Sequence, residues 1–138
     1  MKKFFLSVSK GTAASNLSAL ILRLGFGVLM IPYHGYVKLI EFNERKDQFM
    51  DFLGLGSTVS LSLAIFAELF CSILLIFGLF TRLATIPLLI TMLVALSAHN
   101  WEFFGKYELA TAFFIGHLAI FAAGPGKYSL DYLLFKRR

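Results

Sequence analysis

The stretch LSALILRLGFGVLMIPYHGYVKLI, residues 17–40, decides the fold class of this chain. A helix that crosses the hydrocarbon core of a bilayer takes about 20 mostly apolar residues, and this stretch is long enough. It nevertheless carries Arg23 seven residues in, and His34 and Lys38 close to its far end. Such a segment is poorly suited to water, so its polar groups have to be explained in lipid.

The composition of the whole chain agrees with a membrane protein. Hydrophobic residues make up 58% of the 138 positions and charged residues 15%, whereas a soluble domain has about 25% charged residues. The mean hydropathy is +0.76. The net charge of +5 is divided between the ends of the chain, so we expect no nucleic-acid partner. The single cysteine, Cys71, excludes an intramolecular disulfide and a CxxC pair, and we expect no covalently bound cofactor.

Four stretches have the length and apolarity of membrane-spanning helices or come near to it. They are residues 16–38, 58–80, 83–100 and 107–124. In lipid every backbone N–H and C=O must be bonded within its own segment, which favours helices. The predicted fold is therefore an all-α membrane protein, a bundle of four transmembrane helices in one domain over residues 1–138.

The distribution of Lys and Arg predicts the orientation. With four spans both termini lie on one side, which then carries eight basic residues: Lys2, Lys3, Lys10, Arg82, Lys127, Lys136, Arg137 and Arg138. The opposite side carries four: Lys38, Arg45, Lys46 and Lys106. Because the excess of Lys and Arg stays in the cytoplasm, we expect both termini to be cytoplasmic. The start MKKFFLSVSK has a short, broken apolar run, so no cleaved signal peptide is expected.

Two further short helices are predicted outside the spans. In the first outer loop, NERKDQFMDFLGLG has phenylalanines near helical spacing, Asn43 as an N-cap and Gly54 as a stop. It fits an amphipathic helix on the outer membrane face, or equally a lid over the bundle. At the end, YSLDYLLFKRR predicts a short interfacial helix whose basic residues face anionic headgroups, with membrane lipid as its partner.

Arg23, Glu68 and His117 are ionisable residues inside predicted spans. A charge at the bilayer centre costs about 2.5–3.5 kcal/mol on insertion scales, so these groups should face one another. The rise of about 1.5 Å per residue places Glu68 and His117 at similar depth. Side chains lean towards the helix N-terminus, which separates Arg23 from Glu68 and favours a Glu68–His117 pair. A protonated Glu68 is the alternative, because burial disfavours the charged form.

The polar core has two interpretations. Glu68, His117 and Arg23 could handle protons beside a redox or ligand-binding step, as catalytic residues. The alternative is a buried polar staple that sets the register of the helices.

A second group of polar residues is predicted at the outer end of the bundle. His34 and Lys38 are four residues apart and share one helix face. The rise per residue along each predicted helix places His99 and Glu108 near the same outer boundary. The four side chains would therefore line the mouth of a quinone or headgroup site. Interfacial anchoring is the alternative. Their spacing matches no diagnostic metal motif, and we expect no metal site.

The ordered set of these motifs resembles the DoxX family of small four-helix bacterial membrane proteins. The matching pieces are LRLGFGVLMIPYHGYVKL, FAELFCSILLIFGLFTRLAT, His99, and YELATAFFIGHLAIFAAGPGKYSLDYLL. The family often has a Gly-Glu pair at the start of the fourth span, where this chain has Tyr107 and Glu108. The resemblance implies a four-helix bundle linked to quinone-coupled redox chemistry, because the family looks like the small subunit of a thiosulfate:quinone oxidoreductase.

The leading hypothesis, which rests on this resemblance, is a DoxX-like protein of the bacterial inner membrane that supports quinone-linked sulfur or thiol redox chemistry as a subunit or accessory. It would work with a protein partner or as a homo-oligomer. The alternative is a non-enzymatic scaffold or assembly factor whose polar core is structural. A small transporter is a third hypothesis, for which four spans leave little room without dimerisation.

Overall fold

The chain folds into helices joined by short connections. A computed structural model describes residues 11–101 and 103–135, and within these ranges it contains no strand. The helices are α1 Ala13–Ile40, α2 Phe42–Arg45, α3 Ser57–Phe77, α4 Thr81–Ala98, α5 Glu108–Ala123 and α6 Leu130–Phe135. The predicted all-helical class is confirmed. Residues 1–10, for which no cleaved signal peptide is expected, lie outside the described ranges.

Three of these helices, α1, α3 and α4, are long and apolar enough to cross a membrane by length and composition. The fourth predicted span corresponds to α5, which has 16 residues. At about 1.5 Å per residue it is roughly 24 Å long, somewhat short of a hydrocarbon core of about 30 Å. A 3-10 turn at Gly105–Tyr107 precedes it.

The interior holds apolar and polar groups together, whereas the outside is apolar. Met30, Leu75, Leu88, Phe113 and Ile120 form part of one buried cluster. Several ionisable side chains are buried as well: Arg23, Glu68, Arg82, His117 and Asp131. Large apolar side chains point outward on every long helix, among them Ile21, Val28, Phe70, Leu83 and Ile115. An outward apolar face around a partly polar interior is the distribution expected of a helical bundle in lipid.

The loop between α1 and α3 differs from its prediction. The helix expected from Asn43 to Gly54 reduces to the single turn Phe42–Arg45, followed by turns. Two bonds hold the second half of this loop near the start of α3: the Asp51 carboxylate accepts from Gly56 N at 2.9 Å, and Ser60 Oγ accepts from Phe52 N at 2.9 Å.

The C-terminal segment folds back against the bundle. Gly124 and Gly126, at φ 78° and 70°, turn the chain after α5, a conformation that glycine adopts without steric cost. Asn16 Oδ1 then accepts a hydrogen bond from Lys127 N at 2.9 Å. The short helix α6 follows, and its Asp131 side chain is buried in the protein.

Candidate functional site

Glu68 forms an ion pair with Lys38 inside the bundle. The Lys38 Nζ to Glu68 Oε2 distance is 2.6 Å, and the two side chains are 18% and 3% exposed. Glu68 lies midway along α3 and Lys38 lies near the end of α1. An unpaired carboxylate at this depth is costly, so the lysine provides the countercharge that burial requires.

Both helices depart from α-helical geometry where they meet. Residues Ile31–Gly35 of α1 and Phe66–Cys71 of α3 are π-helical, and the two segments contact each other. Pro32 gives a local cause in α1, because proline has no N–H to donate to the preceding turn. π-helical segments occur frequently at functional sites, and here they flank the ion pair.

Gly35 allows the close approach of α1 to α3. A Cβ at this position would lie 2.7 Å from Leu69 N and 2.9 Å from Glu68 O, both backbone atoms. Only glycine therefore fits at this crossing. Since Lys38 follows three residues later, nearly one turn, the crossing brings its side chain to Glu68.

His34 is the third member of this group. It is half-buried within the π-helical segment of α1 and interacts electrostatically with both Glu68 and Lys38. Its ring packs edge-on against Phe113 of α5, with centroids 5.4 Å apart. We call Lys38, Glu68 and His34 the Glu68 cluster.

His117 does not join Glu68, so the predicted Glu68–His117 pair is wrong. It is fully buried, and neither ring nitrogen has a hydrogen-bond partner among the described residues. Its ring instead lies 5.9 Å from that of Phe26 and 6.0 Å from that of Phe113. Helix rise gives the position of a residue along the helix axis, but it contains no information on the rotation of the helix about that axis. In the structure the partner of Glu68 is therefore Lys38 and not His117.

Of the four residues predicted at the outer end, only Lys38 and His34 lie together in the structure, and His99 and Glu108 lie apart from them. His99 follows α4, is exposed, and stacks on Tyr107 with ring centroids 3.8 Å apart. Glu108 is exposed at the start of α5. Within residues 11–101 and 103–135, neither forms a hydrogen bond or ion pair with Lys38 or His34. The same ranges contain no group of three His, Cys, Asp or Glu side chains placed to hold a metal ion.

Arg23 lies apart from the Glu68 cluster, at the C-terminal end of α3, whereas Glu68 lies midway along that helix, so its predicted place in a core with Glu68 and His117 is also wrong. Its guanidinium is fully buried and donates to Leu75 O and Ile76 O, each at 3.3 Å, and to Tyr128 O. The last carbonyls of a helix lack partners within the helix. Arg23 satisfies those of α3, which ends because Gly78 turns left-handed at φ 67°.

Asp131 is the buried carboxylate that accompanies Arg23. It accepts hydrogen bonds from Phe80 N at 2.7 Å, Thr81 N at 2.9 Å and Thr81 Oγ1 at 2.8 Å. These donors start α4, and a carboxylate at a helix N-terminus also interacts favourably with the helix dipole. Asp131 lies in a stretch that resembles the DoxX family, but no role could be predicted for it from the sequence. Its hydrogen-bond partner Thr81 is 50 residues away in the chain.

Arg82 completes this second group. It is buried in the first turn of α4, and its Nε donates to Phe121 O at 3.1 Å. Both Arg23 and Arg82 interact electrostatically with Asp131. We call these three residues the Asp131 cluster. Because its donors mostly bind backbone carbonyls and its carboxylate caps a helix, the cluster joins α1, α3, α4 and the C-terminal segment.

Comparisons with known proteins bear on the family alone. Neither the curated proteins nor the solved structures give a match. The DoxX family model matches residues 18–101, which include the Glu68 cluster, most of α1, and all of α3 and α4. Since this is more than half of the chain, the protein belongs to the DoxX family.

Proposed function

We propose that this DoxX protein crosses the bacterial inner membrane four times and supports quinone-linked sulfur or thiol redox chemistry, as a subunit or accessory of an oxidoreductase. In this topology α5 is the fourth span. The excess of Lys and Arg at the end that carries both termini supports a cytoplasmic location for that end. The exposed apolar side chains on the long helices support insertion in lipid.

One observation carries the proposal: the buried Lys38–Glu68 ion pair next to His34, at a contact between two π-helical segments. Buried ion pairs seldom increase stability over apolar residues of similar size. Intramembrane ionisable residues are by default candidates for functional sites. The Asp131 cluster has an evident structural task, whereas the Glu68 cluster satisfies no helix terminus.

The side chains of the Glu68 cluster fit the headgroup of a quinone. A quinone presents two carbonyl oxygens that accept hydrogen bonds on a flat, largely apolar ring. Lys38 has donors beyond the one given to Glu68, and His34 supplies a ring nitrogen. The Phe113 ring beside His34 offers an apolar aromatic surface.

When bound, a quinone accepts or returns two electrons with two protons. The protein residues would bind the carbonyl oxygens through Lys38 and His34 and would supply the protons. No described residue donates to Glu68 Oε1, so this oxygen can accept a further hydrogen bond while Oε2 stays paired with Lys38. His34, which interacts electrostatically with both charges, is the group of this cluster that would exchange a proton.

Binding of a short-chain quinone tests this proposal. The purified full chain in phosphatidylcholine nanodiscs would be titrated with decylubiquinone and with a menaquinone analogue. Lys38→Met and His34→Ala each remove a donor. The Lys38 substitution should weaken binding about tenfold or more, since hydrogen bonds to charged groups contribute roughly 1.5–3 kcal/mol. Lys46→Met, in the exposed loop, is the matched control and should bind as the parent chain does.

A scaffold or assembly factor is the second candidate function. The Asp131 cluster favours it, because Arg23, an ionisable residue inside a predicted span, binds backbone carbonyls and joins helices. Purification from native membranes distinguishes the two. A copurifying quinone, lost in the Lys38→Met variant, supports the redox proposal. A stable protein partner retained without quinone, together with no binding in the nanodisc titration, supports the scaffold.

A further inference from the structure

A cleft of about 330 Å³ lies beside the Asp131 cluster, between the end of α3 and the C-terminal segment. Its apolar wall comes from the end of α3 and from α6, through Ile76, Phe77, Leu130 and Leu133. Lys127, Tyr128 and Ser129 line the rest. The volume falls at the low end of small-molecule sites, enough for a headgroup and the first part of its chains.

The polar side of the cleft is held in place by the Asp131 cluster. Arg23 binds the Tyr128 carbonyl on the inside, and the Tyr128 side chain is left 57% exposed on the outside. Asn16 binds Lys127 N, so the lysine backbone is fixed while its side chain remains exposed. Ser129 Oγ donates to Gly126 O and accepts from Tyr132 N, which closes the turn.

The chemistry of the cleft is that of a membrane interface. Phe77 and Leu133 are 60% and 74% exposed, so the apolar wall is open to the surrounding bilayer. Tyrosine and lysine at the rim of an apolar surface are typical of the headgroup level. No acidic residue lines the cleft among the described residues, and three basic residues, Lys136, Arg137 and Arg138, follow α6 in sequence.

We infer that this cleft binds one acidic phospholipid, with the phosphate at Lys127 and Tyr128 and the acyl chains along Phe77 and Leu133. Charge complementarity selects an anionic headgroup over a zwitterionic one. The two lipid-facing walls belong to α3 and α6, so a bound lipid would also hold the C-terminal segment against the bundle. This site lies at the C-terminal end of α3, whereas the Glu68 cluster lies midway along that helix, and it does not depend on the proposed redox function.

Native mass spectrometry of the purified full chain tests the inference. Detergent-solubilised protein would be equilibrated with phosphatidylglycerol or with phosphatidylcholine of the same acyl chains. We expect one phosphatidylglycerol retained per chain, in preference to phosphatidylcholine. Lys127→Gln should weaken retention about fivefold, the equilibrium factor for roughly 1 kcal/mol per basic residue near an anionic membrane. Lys106→Gln, an exposed lysine at the other end of the bundle, is the matched control and should retain lipid like the parent chain.

A second variant tests the apolar wall. Leu133→Trp adds a bulky ring to an exposed position and should lower phosphatidylglycerol retention by occupying the cleft, while the far-UV circular dichroism stays unchanged. Equal retention of the two lipids, or equal loss in the Lys127 and Lys106 variants, would overturn the inference. Either result can occur with quinone binding intact, so the lipid site and the proposed function fail separately.

Discussion

The two clusters of buried charge in this bundle are held in different ways. In the Asp131 cluster three donors bind one carboxylate and two arginines bind backbone carbonyls, so nearly every group ties one helix to another. In the Glu68 cluster a single hydrogen bond joins Lys38 to Glu68, and His34 only faces them. The first arrangement is a structural joint, and the second leaves hydrogen-bonding capacity unused.

This contrast shows that an ionisable residue in a span is not sufficient evidence for a functional site. Arg23 and Glu68 look alike in the sequence, as lone charges in apolar helices. What separates them is whether a helix end is close enough to use the side chain. Backbone carbonyls at the end of α3 accept hydrogen bonds from Arg23. Glu68 lies in the middle of α3, where no helix end needs a hydrogen-bond partner.

The largest loss in the free energy of unfolding is expected when the Asp131 carboxylate is removed. Asp131→Ala removes three hydrogen bonds at the start of α4 and leaves Arg23 and Arg82 without their countercharge. We expect the free energy of unfolding in mixed detergent micelles to fall by about 3–5 kcal/mol, the usual cost of breaking a buried charge pair. Asp51→Ala, which loses one bond in the exposed loop, should cost about 1 kcal/mol. Similar losses in the two variants would show that the Asp131 cluster is no structural joint.

The next largest loss in the free energy of unfolding is expected from a substitution where α1 crosses α3. Gly35→Ala places a methyl group against the backbone of Glu68 and Leu69, which cannot move aside as a side chain can. We expect a loss of about 1–3 kcal/mol, as for other overpacked sites. The same experiment on Gly25→Ala is the control, because nothing lies within 4 Å of a Cβ there. That variant should gain up to about 1 kcal/mol from helix propensity, and a loss there would contradict the packing explanation.

A double-mutant cycle at the ion pair should give a smaller effect. Lys38→Met and Glu68→Gln each break the pair, while the double variant removes both charges. We expect a coupling free energy of about 0.5–3 kcal/mol from the unfolding free energies of the four proteins. The double variant should be nearly as stable as the parent, because apolar or neutral replacements of a buried pair are often tolerated. A double variant as unstable as the sum of the single ones would mean that the pair is not formed.

The smallest effect is expected at His99. It is exposed and stacks on Tyr107, away from Lys38 and His34. His99→Ala should change the unfolding free energy by no more than about 0.5 kcal/mol. It should also leave quinone binding in nanodiscs unchanged, in contrast to His34→Ala. Loss of binding in the His99 variant would restore the four-residue outer mouth that the sequence suggested.

Much of the fold could be predicted from local sequence, and much of the site could not. Apolar runs of about 20 residues predicted the helices that the structure contains, with the fourth shorter than expected. Helix rise gave the approximate depth of Glu68, but pairing depends on helix rotation and on which backbone approaches which. Pro32 and Gly35, which lie next to His34 and Lys38, were visible in the sequence as residues that could mark a close contact of α1 with another helix. The sequence did not show that the other helix is α3, so it did not pair Lys38 with Glu68.

By itself the sequence determined the helical class and the suitability for lipid, because both follow from the hydropathy of contiguous residues. It also determined which side chains would be costly to bury. Only the tertiary structure decided how each cost was met: Glu68 by Lys38, Arg23 by carbonyls of α3, and the start of α4 by Asp131. Those partners lie 30 to 53 residues apart in the chain, and a hydrogen bond depends on distance in space, which the packing of the helices sets.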